Sequence, residues 1–391
     1  MAEAFIVAAV RTAGGRRNGR LRGWHPADLA ARVLEDVVTR SGVDPVRIDD
    51  VIMGCVTQAG EQSYQVGRNA ILASKLPQSI PAVTIDRQCG SSQQAVQFAA
   101  QAVMSGTQDL VIAAGVESMS RAPMGMNAEL PTRQGLGTGP YSQAIFDRFG
   151  TRDISQFTGA EMMAEKYGFS REEMDEFSLQ SHRKAQAATE AGAFAAEILP
   201  LQGLDAEGNP VVHDRDEGIR HDASLEGMAK VKLLREGGRI TAASASQMCD
   251  GASALMIASA QAVKDHGIHP LARIHAMGVT AGDPVIMLEE PIPATAHVLR
   301  KAGMSIGDID LYEVNEAFAP VPMAWLKATG ADPMRLNVNG GAIALGHPLG
   351  ATGTKLMTTL VYALRARRAR YGLQTMCEGG GVANVTIIEA C

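Results

Sequence analysis

Apolar positions recur along the chain in two alternating patterns. Short continuous apolar runs at residues 4–9, 51–56, 81–86 and 110–115 have the length of strands, and the last reads as buried on both faces. Between them lie stretches with apolar residues three and four apart. In 26–40, Ala30, Val33, Leu34 and Val37 share one side of a helix, with Pro26 early and Gly42 just past the end. A second helix is expected over 65–76, closed by Pro77. A third is expected over 91–105, with Val96, Ala99, Ala100 and Val103 on one face and Gly106 after it. The order returns in the last third of the chain. Strands are expected at 272–279, 311–314 and 335–338, and helices at 294–302, 317–328 and 350–364. Two final strands, 373–377 and 382–389, are joined by a glycine turn. Such alternation implies parallel sheets covered by helices. The repeated order suggests a duplicated α/β unit; two unrelated α/β units are the alternative that the pattern alone leaves open.

Residues 118–249 break the alternation. They are rich in Gly, Met and charge, with helical stretches at 161–167 and 172–188, and read as an inserted loop domain. The methionines Met119, Met124, Met126, Met162 and Met163 either line an adaptable apolar pocket or fill core gaps. The expected division is an N-terminal half (1–117 with 250–268), a loop domain (118–249) and a C-terminal half (269–391).

Composition narrows the classes. At about 150 residues per domain, 391 residues suggest two to three domains, and 46% hydrophobic with 20% charged residues is ordinary for a globular chain with a sizeable core. Disordered and collagen-like chains and disulfide miniproteins are excluded. The balance of 36 Lys+Arg against 42 Asp+Glu gives −6, which argues against a broad nucleic-acid-binding face and still permits a local basic pocket. No run has the length to span a bilayer, and the start lacks a signal peptide's basic residues. A cytoplasmic protein without membrane or nucleic-acid partners is expected. The five cysteines, Cys55, Cys89, Cys249, Cys377 and Cys391, show neither C-x-x-C spacing nor a nearby His pair. No metal site or disulfide framework is expected; one or two chemically used thiols in a reducing compartment fit better.

Cys89 joins the third strand to the third helix in Asp86-Arg87-Gln88-Cys89-Gly90-Ser91-Ser92. A helix N-terminus favours thiolate over thiol, Gly90 permits close approach of a ligand, and the carboxyl end of a strand is where α/β sheets place their sites. The alternative is a buried core cysteine. His347 occupies the corresponding place in the second half, within the glycine-rich 339–353. If a pseudo-twofold relates the halves, Cys89 and His347 meet across it, and a Cys–His pair is the usual way to activate a thiol. A phosphate loop is the weaker reading, since neither nucleotide-binding glycine motif is present. Cys377-Glu378-Gly379-Gly380-Gly381 has too many glycines for a simple hairpin. It suggests backbone N–H groups turned to a ligand, or else a mobile turn with an incidental thiol. Asn315, at the same sheet end, either orients a water or carbonyl or caps a helix.

The segment around Cys89, Asn315-Glu316-Ala317-Phe318, Gly346-His347-Pro348-Leu349-Gly350 and Cys377-Glu378-Gly379-Gly380-Gly381 resemble the four catalytic loops of the thiolases. Val10-Arg11-Thr12 and Gly115-Val116-Glu117-Ser118-Met119-Ser120 are also similar to that family, so the likeness runs along essentially the whole chain. The resemblance implies a five-layered αβαβα fold, two related βαβαβ halves plus a loop domain that holds coenzyme A. It implies the reaction acyl-CoA + acetyl-CoA ⇌ 3-oxoacyl-CoA + CoA. Cys89 would carry the acyl group as a thioester, His347 would draw its proton, and Cys377 would move the proton at the α-carbon of the second thioester. One oxyanion hole would use His347 and a water on Asn315; the other would use the N–H groups of Cys89 and Gly379. Arg220, in Asp216-Glu217-Gly218-Ile219-Arg220, would meet the adenine nucleotide end of coenzyme A. Ser246 would lie near the pantetheine, with Ala317 and Phe318 in the same binding site. Coenzyme A and acyl-CoA would be substrates, with no permanently bound cofactor, and the assembly a homodimer or homotetramer. Lys230, Lys232, Arg235 and Arg239 would add a phosphate-binding face or form solvated surface.

The chain departs from short-chain biosynthetic members of that family. Ser155-Gln156-Phe157-Thr158-Gly159 stands before Ala160-Glu161 where they have a His-Met-Gly run. Gln247-Met248-Cys249 replaces the common Gly-Ile-Asn, and Gly381-Val382-Ala383-Asn384 lacks the usual Gln-Gly. These differences favour a degradative enzyme, as in fatty-acid β-oxidation, with a broader or bulkier acyl range. The alternatives are a β-ketoacyl synthase-type condensing enzyme, against which the second thiol Cys377 argues, and a non-catalytic acyl-CoA-binding protein.

Overall fold

The structure, a computed structural model, describes residues 2–391. The first half contains β1 (Ala4–Thr12), the short β2 (Gly15–Arg16), α1 (Pro26–Ser41), β3 (Asp50–Gly54), α2 (Val66–Ala73), β4 (Ala82–Ile85), α3 (Ser91–Ser105) and β5 (Leu110–Ser118). The insert holds α4 (Met126–Arg133), α5 (Gln143–Phe149), α6 (Gln156–Tyr167), α7 (Arg171–Glu190), β6 (Ile198–Leu199), β7 (Leu201–Leu204), β8 (Pro210–His213) and α8 (Leu225–Ala229). The chain then returns to the first half as β9 (Cys249–Ser259) and α9 (Ala260–Asp265). The second half follows with β10 (Ala272–Ala281), α10 (Pro291–Ala302), β11 (Leu311–Val314), α11 (Pro320–Thr329), α12 (Ala342–Leu345), α13 (Thr352–Arg367), β12 (Tyr371–Glu378) and β13 (Val382–Ala390).

The main strands run in the order β11-β12-β13-β10-β1-β9-β5-β3-β4. The half-sheets are joined by the short pairing of β1 with β10, at Phe5↔Arg273 and Ile6↔Ala272. The two sides repeat each other in detail. β1 breaks register against β9 between Ile6 and Ala8, and β10 does so against β13 between Ile274 and Ala276. Asp49 accepts from the N–H groups of Asp109 and Leu110, as Asp310 accepts from those of Arg370 and Tyr371. The same bulges and the same carboxylate caps on both sides identify a duplicated unit.

Side chains alternate between the two faces of each strand, and here both faces are buried. The inner faces share one core with Val96 and Ala99 of α3 and Met357 and Leu360 of α13, so these two helices lie between the half-sheets. On the outer face of the first half-sheet, Leu34 and Val37 of α1 pack with Ile71 of α2. On the outer face of the second, Val298 of α10 packs with Trp325 of α11. The result is the expected five-layered α/β fold, αβαβα.

One expected strand does not form. Residues 333–335 make a 3₁₀ turn, capped by the Asp332 carboxylate on the Met334 N–H, and only Leu336 bridges to Tyr312. Asn337 then adopts left-handed backbone (φ 43°). Its side chain takes over the role of a neighbouring strand, accepting from Val314 N–H and donating to Val314 O, both at 3.0 Å. A carboxamide reproduces the backbone donor–acceptor pair, so no continued strand is required. Helix α11 also begins later than the pattern suggests, at Pro320, because Ala317 and Ala319 make backbone bonds to Ser246 and Ser244 of the insert.

The two central helices come into backbone contact at Gly353. A Cβ there would collide with the backbone N of Gln93, and Thr354 N–H donates to Ser92 Oγ at 3.0 Å. Backbone, unlike a side-chain tip, cannot rotate away. Gly353→Ala should therefore destabilise the protein by at least about 2 kcal/mol, read as a lowered urea midpoint with an unchanged slope.

Candidate active site

The loops before α3 and α13 both open at the same end of the sheets. Ahead of α3, Gln88 takes left-handed backbone (φ 47°) and Gly90 caps the helix, so Cys89 lies between strand and helix. Cys89 is 9% exposed and packs with Val56, Met119 and Leu349. The turn between β12 and β13 reaches the same loop: a Cβ on Gly379 would lie 3.0 Å from Gln88 Oε1. Gly380 and Gly381 (φ 85° and 75°) give that turn a shape other residues would resist. Cys377, buried, precedes it at the end of β12 and packs with Ala317 and Phe318.

Ahead of α13, Gly346 turns the chain with φ 80°, and His347 N–H donates to Gln247 O at 3.0 Å. The Lys355 ammonium donates to Leu345 O and Gly346 O and fixes the backbone leading into the histidine. Thr352 sets the imidazole tautomer. Its hydroxyl donates to Pro348 O at 3.0 Å, so at 2.6 Å from His347 Nδ1 its oxygen must accept from Nδ1–H. Nε2 is left as the unprotonated nitrogen, facing Asn315 Nδ2 at 3.5 Å. Asn315 Oδ1 is buried and has no partner, a position suited to accept a hydrogen bond from a bound water.

Burial drives the two reacting groups toward their neutral forms. It pushes His347 down to about 3, with Lys355 adding to the effect. It pushes the Cys89 thiol up to about 12, with the Glu378, Glu117 and Asp86 carboxyls adding and the Cys89 N–H opposing. The expected helix-stabilised thiolate is thus corrected, because loss of water outweighs the dipole of α3. Cys377 is also pushed well above the usual thiol range by burial, then by Cys89 and Glu378. At rest the site is a neutral thiol with a neutral imidazole, and proton transfer must accompany attack.

A cleft of about 380 Å³ opens onto His347. Arg220, Ser246, Ala317 and Phe318 line it, together with Met119, Met124 and Leu349. Cys89 therefore lies behind Met119 and Leu349, and Cys377 behind Phe318. An isolated bridge between Ala245 and Phe318 joins the insert to the second half at the cleft wall. Arg220 N–H donates to His182 Nδ1 at 3.2 Å, and burial lowers His182 to about 4, with Arg220 and His221 contributing. The methionines divide: Met119 and Met124 face the cleft, and Met163 fills a core. Lys230 pairs with Glu226 and Arg235 with Asp153, and Lys230, Lys232, Arg235 and Arg239 stay off the cleft wall. Among the described residues no group of His, Cys, Asp and Glu has the arrangement of a metal site.

Two carboxylates that the motifs did not single out hold these loops. Glu316 accepts from Ile343 N–H (3.1 Å), Ser181 Oγ (2.6 Å) and Asn337 Nδ2 (2.9 Å). Glu117 accepts from the N–H groups of Val56, Thr57 and Gly350 and from Gln62 Nε2. Their signal in the sequence is an acidic residue just after or within a fully buried apolar run, a placement that demands partners. Thr352 had no signal beyond lying five residues after His347.

Comparison with known proteins agrees with this architecture. Residues 4–261 match the family described as thiolase, N-terminal domain, and residues 268–390 match thiolase, C-terminal domain. The chain belongs to the thiolase family, and so to the acyltransferases. It is 53% identical over 391 residues to a steroid 3-ketoacyl-CoA thiolase of Mycobacterium tuberculosis, covering 100% of this chain and 94% of that one. It is 40% identical over 396 residues to a 3-ketoacyl-CoA thiolase of Yersinia pestis, with 100% of both chains covered. Among solved structures, human mitochondrial 3-ketoacyl-CoA thiolase superposes with a TM-score of 0.89 at 36% identity, over 100% of this chain and 99% of that one. The acetyl-CoA acetyltransferase of Bacillus anthracis gives 0.90 at 36%, with the same coverage.

Thr352→Val removes the acceptor for Nδ1–H and frees the ring to change tautomer. Its kcat should fall by roughly ten- to hundredfold with an unchanged circular dichroism spectrum. Because His347 stays neutral down to about 3, alkylation of Cys89 should show no inflection near the ordinary imidazole range; a stopped pH series with iodoacetamide measures this.

Proposed function

We propose that the protein is a degradative thiolase whose natural substrates are 3-oxoacyl-CoA thioesters with acyl groups longer or bulkier than acetoacetyl. In the thiolytic direction the Cys89 sulfur attacks the 3-oxo carbonyl while His347 Nε2 takes the thiol proton. The bond between the α-carbon and that carbonyl breaks, leaving the acyl group on Cys89. The departing acetyl-CoA enolate takes its proton from Cys377. Coenzyme A then gives its thiol proton to the Cys377 thiolate and attacks the acyl thioester; the carbon–sulfur bond to Cys89 breaks, and the leaving Cys89 sulfur takes back the proton held by His347. Fixed dipoles hold the negative oxygens in both steps: the His347–Asn315 pair with a water, and the N–H groups of Cys89 and Gly379.

The observation that carries this reading is one cleft that brings an unprotonated His347 Nε2 together with Arg220, Ser246, Ala317 and Phe318. The loop segment 118–249 would hold coenzyme A, with Arg220 toward its nucleotide end and Ser246 beside the pantetheine. Two observations support a bulky acyl group. Gln156 and Phe157, in the Ser155–Gly159 segment that lacks the His-Met-Gly run of biosynthetic relatives, line the cleft with Met124, Leu234 and Met248. The relative at 53% identity is named for steroid 3-ketoacyl-CoA. A homodimer or homotetramer is supported by the edge strand β4 and the helix α2 packed on it, which expose the apolar side chains of Val83 and Leu72. Five free cysteines suit a reducing, cytoplasmic setting. Among the described residues no helix is long and apolar enough to cross a membrane.

Cys377→Ser tests the division of labour. A serine hydroxyl is too weak an acid to shuttle the α-carbon proton, so thiolysis should fall by at least roughly a hundredfold. Acetyl-CoA should still acetylate Cys89, seen as a mass gain on its peptide. Near-normal thiolysis, or a folded variant that cannot be acetylated, would remove Cys377 from this role. For the acyl range, 3-oxo-octanoyl-CoA should be cleaved at least as fast as acetoacetyl-CoA; negligible turnover of the longer thioester would refute the bulky-acyl reading.

A further inference from the structure

Glu378 has no part in the steps above, yet it borders them. It ends β12 directly after Cys377, is 1% exposed, and neither of its carboxyl oxygens meets a hydrogen-bond partner. The Asn384 N–H approaches it without completing a bond, and the first N–H groups of α3 do not reach it. Its side chain abuts the loop of the nucleophile: a Cβ on Gly90 would collide with Glu378 Oε1 and lie 2.7 Å from Asn384 Oδ1. Glu378 Oε1 and Asn384 Oδ1 therefore both lie against Gly90, the residue after Cys89. Asn384 cannot turn its amide around, because its Nδ2 donates to Gln94 Oε1 (3.1 Å) and Gln97 Oε1 (3.0 Å). Its Oδ1 is buried, lies against Gly90 beside Glu378 Oε1 and has no donor. Two acceptors facing one another away from water repel unless one carries a proton, and only the carboxyl can.

We propose that Glu378 stands as a neutral carboxylic acid donating to Asn384 Oδ1, a positioning residue that keeps a full negative charge away from Cys89 and Cys377. Each of those thiols must become negative in turn, and in a water-poor site a carboxylate beside them would oppose it. The proposal rests on the reading of Cys89 as nucleophile. Arg87 is the cation that acts on Glu378, Cys89 faces it from the loop before α3, and Cys377 precedes it on its own strand. The groups presented by α3 and β13, Gln94, Gln97 and Asn384, do not titrate. Burial holds Glu378 well above the usual carboxylate range, with Arg87 opposing.

Glu378→Gln keeps the shape, can donate to Asn384 Oδ1 and cannot ionise. The infrared difference spectrum of wild type minus E378Q should contain the C=O stretch of a protonated carboxylic acid. A carboxylate pair of bands in its place would overturn the proposal. Iodoacetamide should label Cys89 in both proteins at rates within about threefold at neutral pH. E378Q should lead by about tenfold at alkaline pH, where the wild-type carboxyl begins to ionise; tenfold corresponds to one pKa unit on the thiol. A tenfold lead already at neutral pH would mean a charged Glu378 and would overturn the proposal. So would loss of turnover in E378Q with unchanged labelling, which would make Glu378 a group that acts on substrate. Glu378→Met, neutral and unable to donate, should also label at the wild-type rate at neutral pH. A large loss there in a folded protein would show that the hydrogen bond, and not neutrality, is what Cys89 needs. Label on another cysteine would overturn the reading of Cys89 and the positioning role with it, while the infrared band decides the protonation of Glu378 by itself.

Discussion

A seam of buried amides between the half-sheets is the constraint on which the rest of the molecule depends. Gln93 of α3 donates to Gln374 O and Thr386 Oγ1, and Gln97 donates to Val385 O and Thr386 Oγ1. Gln374 answers with bonds to Gln93 Oε1 and Gly353 O. An apolar interface between two sheets and two helices could slide by a residue with little penalty. Polar groups that are satisfied in only one register cannot, since any shift strands them away from water. The seam thus sets where the start of α3 lies relative to β12, β13 and the start of α13. Cys89, Cys377 and His347 project from the start of α3, the end of β12 and the loop before α13.

The same burial that makes the seam strict sets the chemistry. Removing water moves a thiol and an imidazole in opposite directions on the pH scale, and both end neutral. A preformed ion pair would have attracted the ordinary oxidants and electrophiles of the cell to Cys89. A neutral pair, with Cys89 behind Met119 and Leu349, reacts once a bound thioester gives the new charge somewhere to go. Glu316 and Glu117 contribute rigidity: each collects hydrogen-bond donors from segments distant in sequence.

The α/β class, the duplicated order and the long insert were legible because each is carried by apolar period and glycine placement. Cys89, His347, Asn315 and Cys377 were legible because each sits in a loop of unusual composition at the carboxyl end of a strand. The strand expected at 335–338 misled because apolar Leu336 and Val338 look the same in a strand and in a packed turn. Only the three-dimensional partner of Asn337 distinguishes them. The ionisation of Cys89 was misjudged for a related reason: a helix start is visible in sequence, but the depth at which it lies is not. The parts played by Thr352 and Gln247 were not legible because they are contacts with the ring and backbone of the His347 loop, and no residue type advertises such a contact.

The route of the chain through β9 has a consequence for synthesis. β1 and β5 are not neighbours; β9 lies between them and pairs antiparallel with both. That strand is made only after the entire insert. A nascent chain can fold its early helices, but until residue 259 has left the ribosome its first sheet lacks its middle, and β1 and β5 each present an open edge. The gap is filled from a distance, so closure of the first half is a late, long-range event, of the kind that makes folding slow. An exposed edge that waits for its partner is where a chaperone, or another nascent copy, would first find this protein.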